Sequence, residues 1–137
     1  VMGDNVNLAA RLEGANKFYD TRILLGPLTY ELARGDIAAR EVDRLRVKGK
    51  QEPVVVYELL GRRGALSSQQ QQVVKAFGAG LDAYKARDFM TAQRYFVEAL
   101  AIDANDGPSR VYLERASEYL ETPPPHDWDG VYELTSK

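Results

Sequence analysis

The sequence of 137 residues contains no cysteine and a single histidine. Without cysteine, the chain can hold no disulfide framework, no thiolate zinc site and no cysteine nucleophile. The one histidine, His126, directly follows three prolines, and we expect it to be exposed. This excludes a metal site built from several histidines and leaves no well-placed imidazole for a catalytic triad.

The chain also lacks an excess of charge of one sign and a long apolar run. Its 18 basic and 20 acidic residues give a formal net charge of −2. Because such a chain cannot neutralise many phosphates, we expect no nucleic-acid partner. No apolar run approaches the roughly 18 residues that span a bilayer, and no signal peptide is present. We expect a cytoplasmic protein. The start at Val1-Met2 is typical of a piece of a longer protein, so a membrane anchor elsewhere in that parent stays open.

What remains is the composition of an ordinary globular chain, 45% hydrophobic and 28% charged. Patterning divides it into a mixed helix and strand region, a Gly-, Ser-, Arg- and Gln-rich linker, a helical region and a Pro-rich tail. The predicted boundaries are 1–60, 61–72, 73–122 and 123–137.

The first region predicts an α+β fold. Asp4 is a suitable N-cap for a helix that runs to about Phe18. Pro27 suits the first turn of a second helix, which should end at Gly35. The predicted strands are Ile23–Leu25, Val42–Val47 and, after a turn at Gly49, Val54–Tyr57. Two or three strands with two helices bury little apolar surface, so we expect this sheet to need cover from another chain, most simply a second copy.

The helical region predicts a helical hairpin and one capping helix. Apolar residues recur at three- and four-residue intervals, which is the period of a single helix face. The predicted small residues at the crossing of the first two helices are Gly80 and Ala92. The three apolar faces are Val73, Phe77, Leu81 and Tyr84, then Ala92, Phe96, Ala99 and Leu100, and then Tyr112, Ala116 and Tyr119 or Leu120.

Two groups of polar residues could carry chemistry. Asn7 and Arg11 are four residues apart, so both would lie on one helix face. An amide can orient a hydroxyl, and a guanidinium suits a phosphate. Lys48 and Lys50 flank Gly49 and could lend charge to phosphates. By spacing alone, the pair Asn7 and Arg11 is more often part of an exposed polar face, and the pair Lys48 and Lys50 is more often part of a solvated turn. The cations that alternate along the strand from Arg44 are equally consistent with protection of a strand edge from pairing with another chain.

Two strings of this sequence, in the correct order, resemble the catalytic domain of class III adenylate/guanylate cyclases. The string that starts at Gly3 (GDNVNLAARLE) is similar to the family signature. The string that starts at Glu41 (EVDRLRVKGK), followed by Pro53 to Leu59, is similar to the family's terminal hairpin. The resemblance covers residues 1–60 and implies the C-terminal half of a ferredoxin-like cyclase domain.

The resemblance implies a role for three residues. Asn7 would orient the ribose, Arg11 would stabilise the charge that develops at the α-phosphate, and Lys48 would contact the outer phosphates; Lys50 receives no role. Asp4 would cap its helix and bind no metal. The family reaction converts ATP to cyclic AMP and pyrophosphate in a head-to-tail homodimer.

Other parts of the family's site would lie before Val1. They include two aspartates that hold two Mg²⁺ or Mn²⁺ ions, so we expect no metal ligand in this chain. They also include the residues that select the base. ATP is the expected substrate, but the choice between ATP and GTP stays open.

Residues 73–122 resemble a single tetratricopeptide-like helix pair followed by a third helix, and the tail resembles an ending found in bacterial cyclase proteins. Trp128 is expected to pack against the helices. An alternative interpretation is a protein-interaction module, in which the cyclase-like part is degenerate and the helical region binds a partner peptide. The residues that match the repeat pattern are Gly80, Tyr84, Asp88, Phe89, Ala92, Phe96, Ala99 and Leu100.

Overall fold

The computed structural model describes residue 12 and residues 14–47 and 52–134. The fold is α+β, as predicted, and comprises two compact units. The first unit contains residues 1–65 and 131–137, and the second contains residues 66–130. The helical unit is therefore inserted in the chain between two parts of the unit that holds the sheet.

The first unit is built on a sheet of four strands, in the order β1-β3-β2-β4. Strand β1 (Leu24–Leu25) pairs antiparallel with β3 (Val54–Arg62), and β3 pairs antiparallel with β2 (Ile37–Val47). Strand β4 (Tyr132–Leu134) pairs with β2 in parallel. Two helices accompany the sheet, α1 over residues 14–19 and α2 over Pro27–Ala33.

Several predicted boundaries in this unit were wrong. Strand β2 begins five residues before Val42, and β3 continues to Arg62. The predicted linker at 61–72 is consequently shorter, because its first residues pair in the sheet and its last residues, from Ser68, are helical. The predicted tail at 123–137 also contains a strand, because residues 132–134 form β4.

Strand β2 departs from regular pairing with β3 at a position that is buried. A register shift between Glu41 and Asp43 leaves Val42 as an extra residue opposite β3. Such a bulge changes the direction of the side chains that follow it. Val42 and Asp43 are both buried, with Val56 of β3 and Tyr19 of α1. The bulge thus places a carboxylate in the buried core of this unit.

The second unit is an antiparallel arrangement of three helices, α3 (Ser68–Lys85), α4 (Phe89–Ile102) and α5 (Gly107–Glu121). Each begins at a side chain that accepts a backbone N–H, a favourable N-cap. Ser67 and Gln70 form a reciprocal capping box at α3. Asp88 caps α4 and Asp106 caps α5.

The predicted helix faces are confirmed by the core of this unit. Phe77, Phe96 and Tyr112 are almost completely buried and their rings contact one another. Ala92 is fully buried, as its predicted place at the helix crossing requires. Leu120 is exposed, so Tyr119 takes the last apolar position of α5 instead. None of the helices that the structure describes is long and apolar enough to cross a membrane.

Gly80 of α3 packs directly against the ring of Phe96 on α4. A Cβ atom added there would lie 2.6 Å from Cε1 of Phe96, whose ring is fully buried. We expect Gly80→Ala to lower the free energy of unfolding by about 1–2 kcal/mol, since the overpacking exceeds the gain in helix propensity. The control is Gly78→Ala, on the same helix, where an added Cβ meets nothing within 4 Å.

For Gly78→Ala the propensity term acts alone and should raise stability by up to about 1 kcal/mol. Urea unfolding of the two variants and of the unmodified chain measures both shifts. A stabilised Gly80→Ala variant would show that the two helices can separate without loss.

Candidate functional site

The three predicted site residues, Asn7, Arg11 and Lys48, lie outside the described residues. So do the predicted cap Asp4 and the unassigned Lys50. The structure describes the elements that lead into both segments: α1, which follows Arg11 in the chain, and the paired strands β2 and β3, which stand on either side of residues 48–53.

One buried hydrogen bond joins α1 to β2. The hydroxyl of Tyr19, at the end of α1, donates to Oδ2 of Asp43 on β2, and both residues are at most 2% exposed. The other carboxylate oxygen of Asp43 accepts the backbone N–H of Arg44 at 2.7 Å. Tyr19 follows Arg11 by eight residues, and Asp43 precedes Lys48 by five. This bond therefore fixes the helix that follows one predicted site segment against the strand that leads to the other.

A buried ion pair sets the register of β2 on β3. Arg40 and Glu58 are directly opposite each other in the two strands. Oε1 of Glu58 accepts from Nε of Arg40 at 2.9 Å and from Nη2 at 2.8 Å. Their side chains are only 5% and 14% exposed. Removal of one partner from such a pair leaves an uncompensated charge and typically costs about 3–5 kcal/mol.

Sequence reasoning missed the roles of Tyr19, Asp43, Arg40 and Glu58. Asp43 and Arg40 interrupt an apolar pattern, and that interruption is typical of a solvated strand. The one usable signal was a charged residue within a strand that otherwise buries its neighbours, since a buried charge needs a partner. The predicted row of cations is described only at Arg44, which is exposed, and at Arg46, which is half-buried.

The opposite face of the sheet carries a stacked pair of tyrosines. The rings of Tyr30, on α2, and Tyr57, on β3, are 3.8 Å apart and nearly parallel, at 7°. Desolvation raises the pKa of Tyr57, and the negative charge of Glu41 raises it further. Tyr30 and Glu31 act in the same direction, while Arg34 opposes them.

This raised pKa predicts a loss of stability at alkaline pH. Above the ordinary tyrosine pKa of about 10, the unfolded chain ionises at Tyr57 before the folded chain does. Unfolding then releases a proton, so stability falls as pH rises. We expect Tyr57→Phe to reduce this fall between about pH 9 and pH 11. Urea unfolding at several pH values measures it. Tyr95→Phe, at a half-buried tyrosine of the other unit, is the matched control.

No group of three or more His, Cys, Asp or Glu side chains is placed to hold a metal ion among the residues that the structure describes. The aspartates that the resemblance implies for the two ions are expected before Val1, outside this sequence. No metal-dependent step is assigned to the described residues.

Comparison with known proteins relates the chain to adenylate cyclases. It is 34% identical over 125 residues to "Adenylate cyclase, terminal-differentiation specific" of Dictyostelium discoideum, a match that covers 88% of this chain and 6% of that protein. It is 35% identical over 60 residues to "Adenylate cyclase 1" of Rhizobium meliloti (strain 1021), which covers 44% of this chain and 9% of that protein. No family model and no solved structure matches.

The chain thus spans less than a tenth of the length of these curated relatives. The longer match nevertheless includes residues of both compact units, since each unit is larger than the part of the chain left unmatched. The helical unit therefore shares in the similarity to the Dictyostelium protein, and its function should be considered together with that of the sheet unit.

Proposed function

We propose that residues 1–60 are the C-terminal part of a class III nucleotidyl cyclase catalytic domain, and that the parent protein makes cyclic AMP from ATP in intracellular signalling. The observation that carries the proposal is the presence of both family strings in a chain that is similar to an adenylate cyclase over 88% of its length.

In the proposed reaction the 3′-oxygen of the ribose attacks the α-phosphorus. A new P–O bond closes the ring, the bond to the bridging oxygen breaks, and pyrophosphate leaves as the 3′-hydroxyl loses its proton. Asn7 would hold the ribose so that this oxygen is in line. Arg11 would donate to the α-phosphate oxygens as charge builds on them, and Lys48 would bind the outer phosphates.

The described framework supports this assignment, because the site needs its two segments at a fixed separation. A displacement of about 1 Å can cost 10²-fold in rate. The buried bond between Tyr19 and Asp43 and the ion pair between Arg40 and Glu58 together hold α1, β2 and β3 in one arrangement. Both of these contacts lie within the sheet unit.

The proposal requires groups that this chain does not supply. Two Mg²⁺ or Mn²⁺ ions would be held by aspartates of another part of the parent, and they would neutralise the phosphates. In a head-to-tail homodimer those aspartates come from one subunit, while Asn7 and Arg11 come from the other. The test is to assay the purified full-length parent with ATP and with GTP and to identify the products; absence of both cyclic nucleotides would contradict the proposal.

We also propose that the chain self-associates. Leu28 and Leu32 lie one turn apart on α2 and are 66% and 79% exposed. Phe18 and Ile23 add further exposed apolar surface to the same unit. Apolar surface of this kind is usually covered by another chain.

The expected result is a dimer by sedimentation equilibrium, shifted toward monomer when Leu28 and Leu32 are both replaced by serine. Replacement of Met90 and Val97, the exposed apolar residues of α4 in the other unit, is the matched control. A folded monomer at every concentration would contradict the proposal.

The second candidate function is a protein-interaction module. The three packed helices favour it, since a tetratricopeptide-like hairpin with a third helix can bind a peptide. The two candidates differ in what they require of the parent. Two aspartates at metal-ligand spacing before residue 1 would support catalysis, whereas their replacement would favour the module.

A further inference from the structure

The helical unit carries an arginine in a backbone conformation that arginine rarely adopts. Arg87 lies in the turn between α3 and α4 with φ 66°, where glycine is the favoured residue. Its backbone N–H donates to the carbonyl of Tyr84 at 3.0 Å, and the N–H of Asp88 donates to that of Ala83 at 2.9 Å. These bonds close the end of α3, and glycine would form them equally well. Strain of this kind points to a use for the arginine side chain.

The side chain of Arg87 binds two backbone carbonyls of the segment that follows α5. Nη2 donates to the carbonyl oxygen of Pro124 and Nη1 to that of Pro125, each at 3.0 Å. A charged donor makes a stronger hydrogen bond than a neutral one, and a planar guanidinium can reach two acceptors at once. Because proline has a fixed φ, two consecutive prolines present their carbonyls in a conformation that is largely set before binding.

Trp128 of the same segment lies among three aromatic rings at this end of the helical unit. Its ring centroid is 5.3 Å from that of Tyr84, 5.7 Å from that of Phe89 and 5.4 Å from that of Tyr119. The guanidinium of Arg87 lies 5.6 Å from the centre of the indole, within the range of a cation–π contact. The predicted packing of Trp128 against the helices is thereby confirmed.

The segment lies on the surface of the helical unit. Among residues 123–128, Pro124 is buried and Trp128 is half-buried, whereas the other four are exposed. Every buried residue of the aromatic core belongs to α3, α4 or α5, and Trp128 packs against that core from outside. The segment can therefore leave without separating the helices. Its departure would uncover parts of Tyr84 and Phe89, which are now 3% and 6% exposed, and an apolar patch of this kind is usually covered.

We propose that this end of the helical unit is a binding site for a proline-rich peptide that contains a tryptophan. The tail site consists of Tyr84, Arg87, Phe89 and Tyr119, and residues 123–128 occupy it in cis. The pattern that fits is two adjacent prolines and, three residues after the second, a tryptophan. Aromatic-lined surfaces that bind proline-rich segments are a recurrent mode of peptide recognition. The partner is another protein with such a segment, which binds by displacing the chain's own.

The chain's own segment limits which partners can bind. It is joined to the end of α5 by Thr122 alone, and a ligand on a short link has an effective concentration in the millimolar range. A partner segment must overcome that competition, so the cis segment sets a threshold for binding. This inference deepens the second candidate function and rests on it in one respect, that the helical unit binds a peptide. It does not depend on the cyclase assignment.

Peptide binding to the full 137-residue chain tests the tail site. The probe is a synthetic peptide with the sequence of residues 122–130 and a dye at its N-terminus, and fluorescence anisotropy measures its dissociation constant. Trp128→Ala removes the indole of the cis segment, so the probe should bind this variant at least about tenfold tighter than the unmodified chain. Trp128 is the only tryptophan of the chain. An unlabelled peptide therefore supplies the only indole in the mixture with Trp128→Ala, and its emission should shift to shorter wavelength on binding.

Two further substitutions, each made in the Trp128→Ala chain, locate the bound peptide. Arg87→Gly suits φ 66° and removes both charged donors, so it should weaken probe binding about tenfold or more. Arg94→Ala removes an exposed guanidinium from α4 and is the matched control, with no expected effect. A competitor peptide with alanine in place of its tryptophan should fail to displace the probe.

Trp128→Phe is a second tryptophan-free chain that keeps an aromatic ring, so the test does not depend on the folding of Trp128→Ala; circular dichroism checks both. The tail site is overturned if the probe binds neither folded variant or binds the unmodified chain as tightly as Trp128→Ala. Binding that Arg87→Gly leaves unchanged would also overturn the site, but it would leave the interaction-module function in place with its peptide site elsewhere. Absence of cyclase activity in the parent would contradict only the first candidate function.

Discussion

In the full-length parent, Arg11→Ala should lower kcat by about 10²–10³-fold, the usual effect of removing one donor to a transition-state charge. The corresponding loss of transition-state stabilisation is about 2.7–4 kcal/mol. KM should change much less, because the charge that Arg11 is proposed to stabilise develops only as the 3′-oxygen attacks.

Steady-state kinetics over a range of ATP concentrations separates the two parameters. The matched control is Arg34→Ala, since Arg34 is exposed and pairs with Glu31, with both side chains more than 60% exposed. Exposed pairs contribute little to stability, so this variant should keep its activity. If Arg11→Ala raises KM and leaves kcat unchanged, Arg11 merely binds the nucleotide.

A further variant separates the positive charge of Arg11 from its planar pair of hydrogen-bond donors. Lysine at position 11 keeps a positive charge but not the planar pair of donors. If the proposed role is correct, Arg11→Lys should recover only part of the lost kcat. Full recovery would mean that charge alone is sufficient at this position.

The helical unit was the more predictable half of the molecule because its structure is local. A helix face recurs within a few residues, so Phe77, Phe96 and Tyr112 could be placed in a core from spacing alone. The start of α3 was missed at Ser67, although a serine followed three residues later by a glutamine is a recognisable capping box. The run of four glutamines was interpreted as a linker, but glutamine is a good helix former.

The sheet unit was less predictable because its decisive contacts join distant residues. The early part of β2 does not alternate, and its buried Arg40 looks exposed until Glu58 is placed opposite. Tyr19 and Asp43 are 24 residues apart. Strand β4 is only three residues long and pairs with residues far away in the chain. Short strands carry little periodicity, so tertiary pairing decides them.

The candidate site also combines residues that the sequence indicates with contacts that only the structure shows. Asn7, Arg11 and Lys48 were found through family resemblance, since four-residue spacing and a Lys-Gly-Lys turn are common on ordinary surfaces. Their roles stay predictions. The structure contributes the positioning contacts around them, which no local pattern in the sequence could indicate.

The 137-residue chain by itself should make no cyclic AMP, whether Mg²⁺ or Mn²⁺ is supplied. Its proposed contribution, Asn7, Arg11 and Lys48, orients the ribose and stabilises charge. The proposed reaction also needs paired metal-binding aspartates, and the family places these before the Gly3-Asp4-Asn5 string, where this chain has only two residues. Asp4 is assigned to helix capping, so it cannot replace them.

The assay should use purified chain over a wide range of concentrations, with the full-length parent as the positive control. Circular dichroism must show that the chain is folded, because an unfolded sample would be inactive for a trivial reason. Loss of activity on truncation of the parent, with retained helix content, is the expected result. Turnover above the blank would mean that residues of this chain supply the missing metal ligands. The assignment of Asp4 to helix capping would then be revised first, because Asp4 is the only carboxylate within the signature string before Asn7.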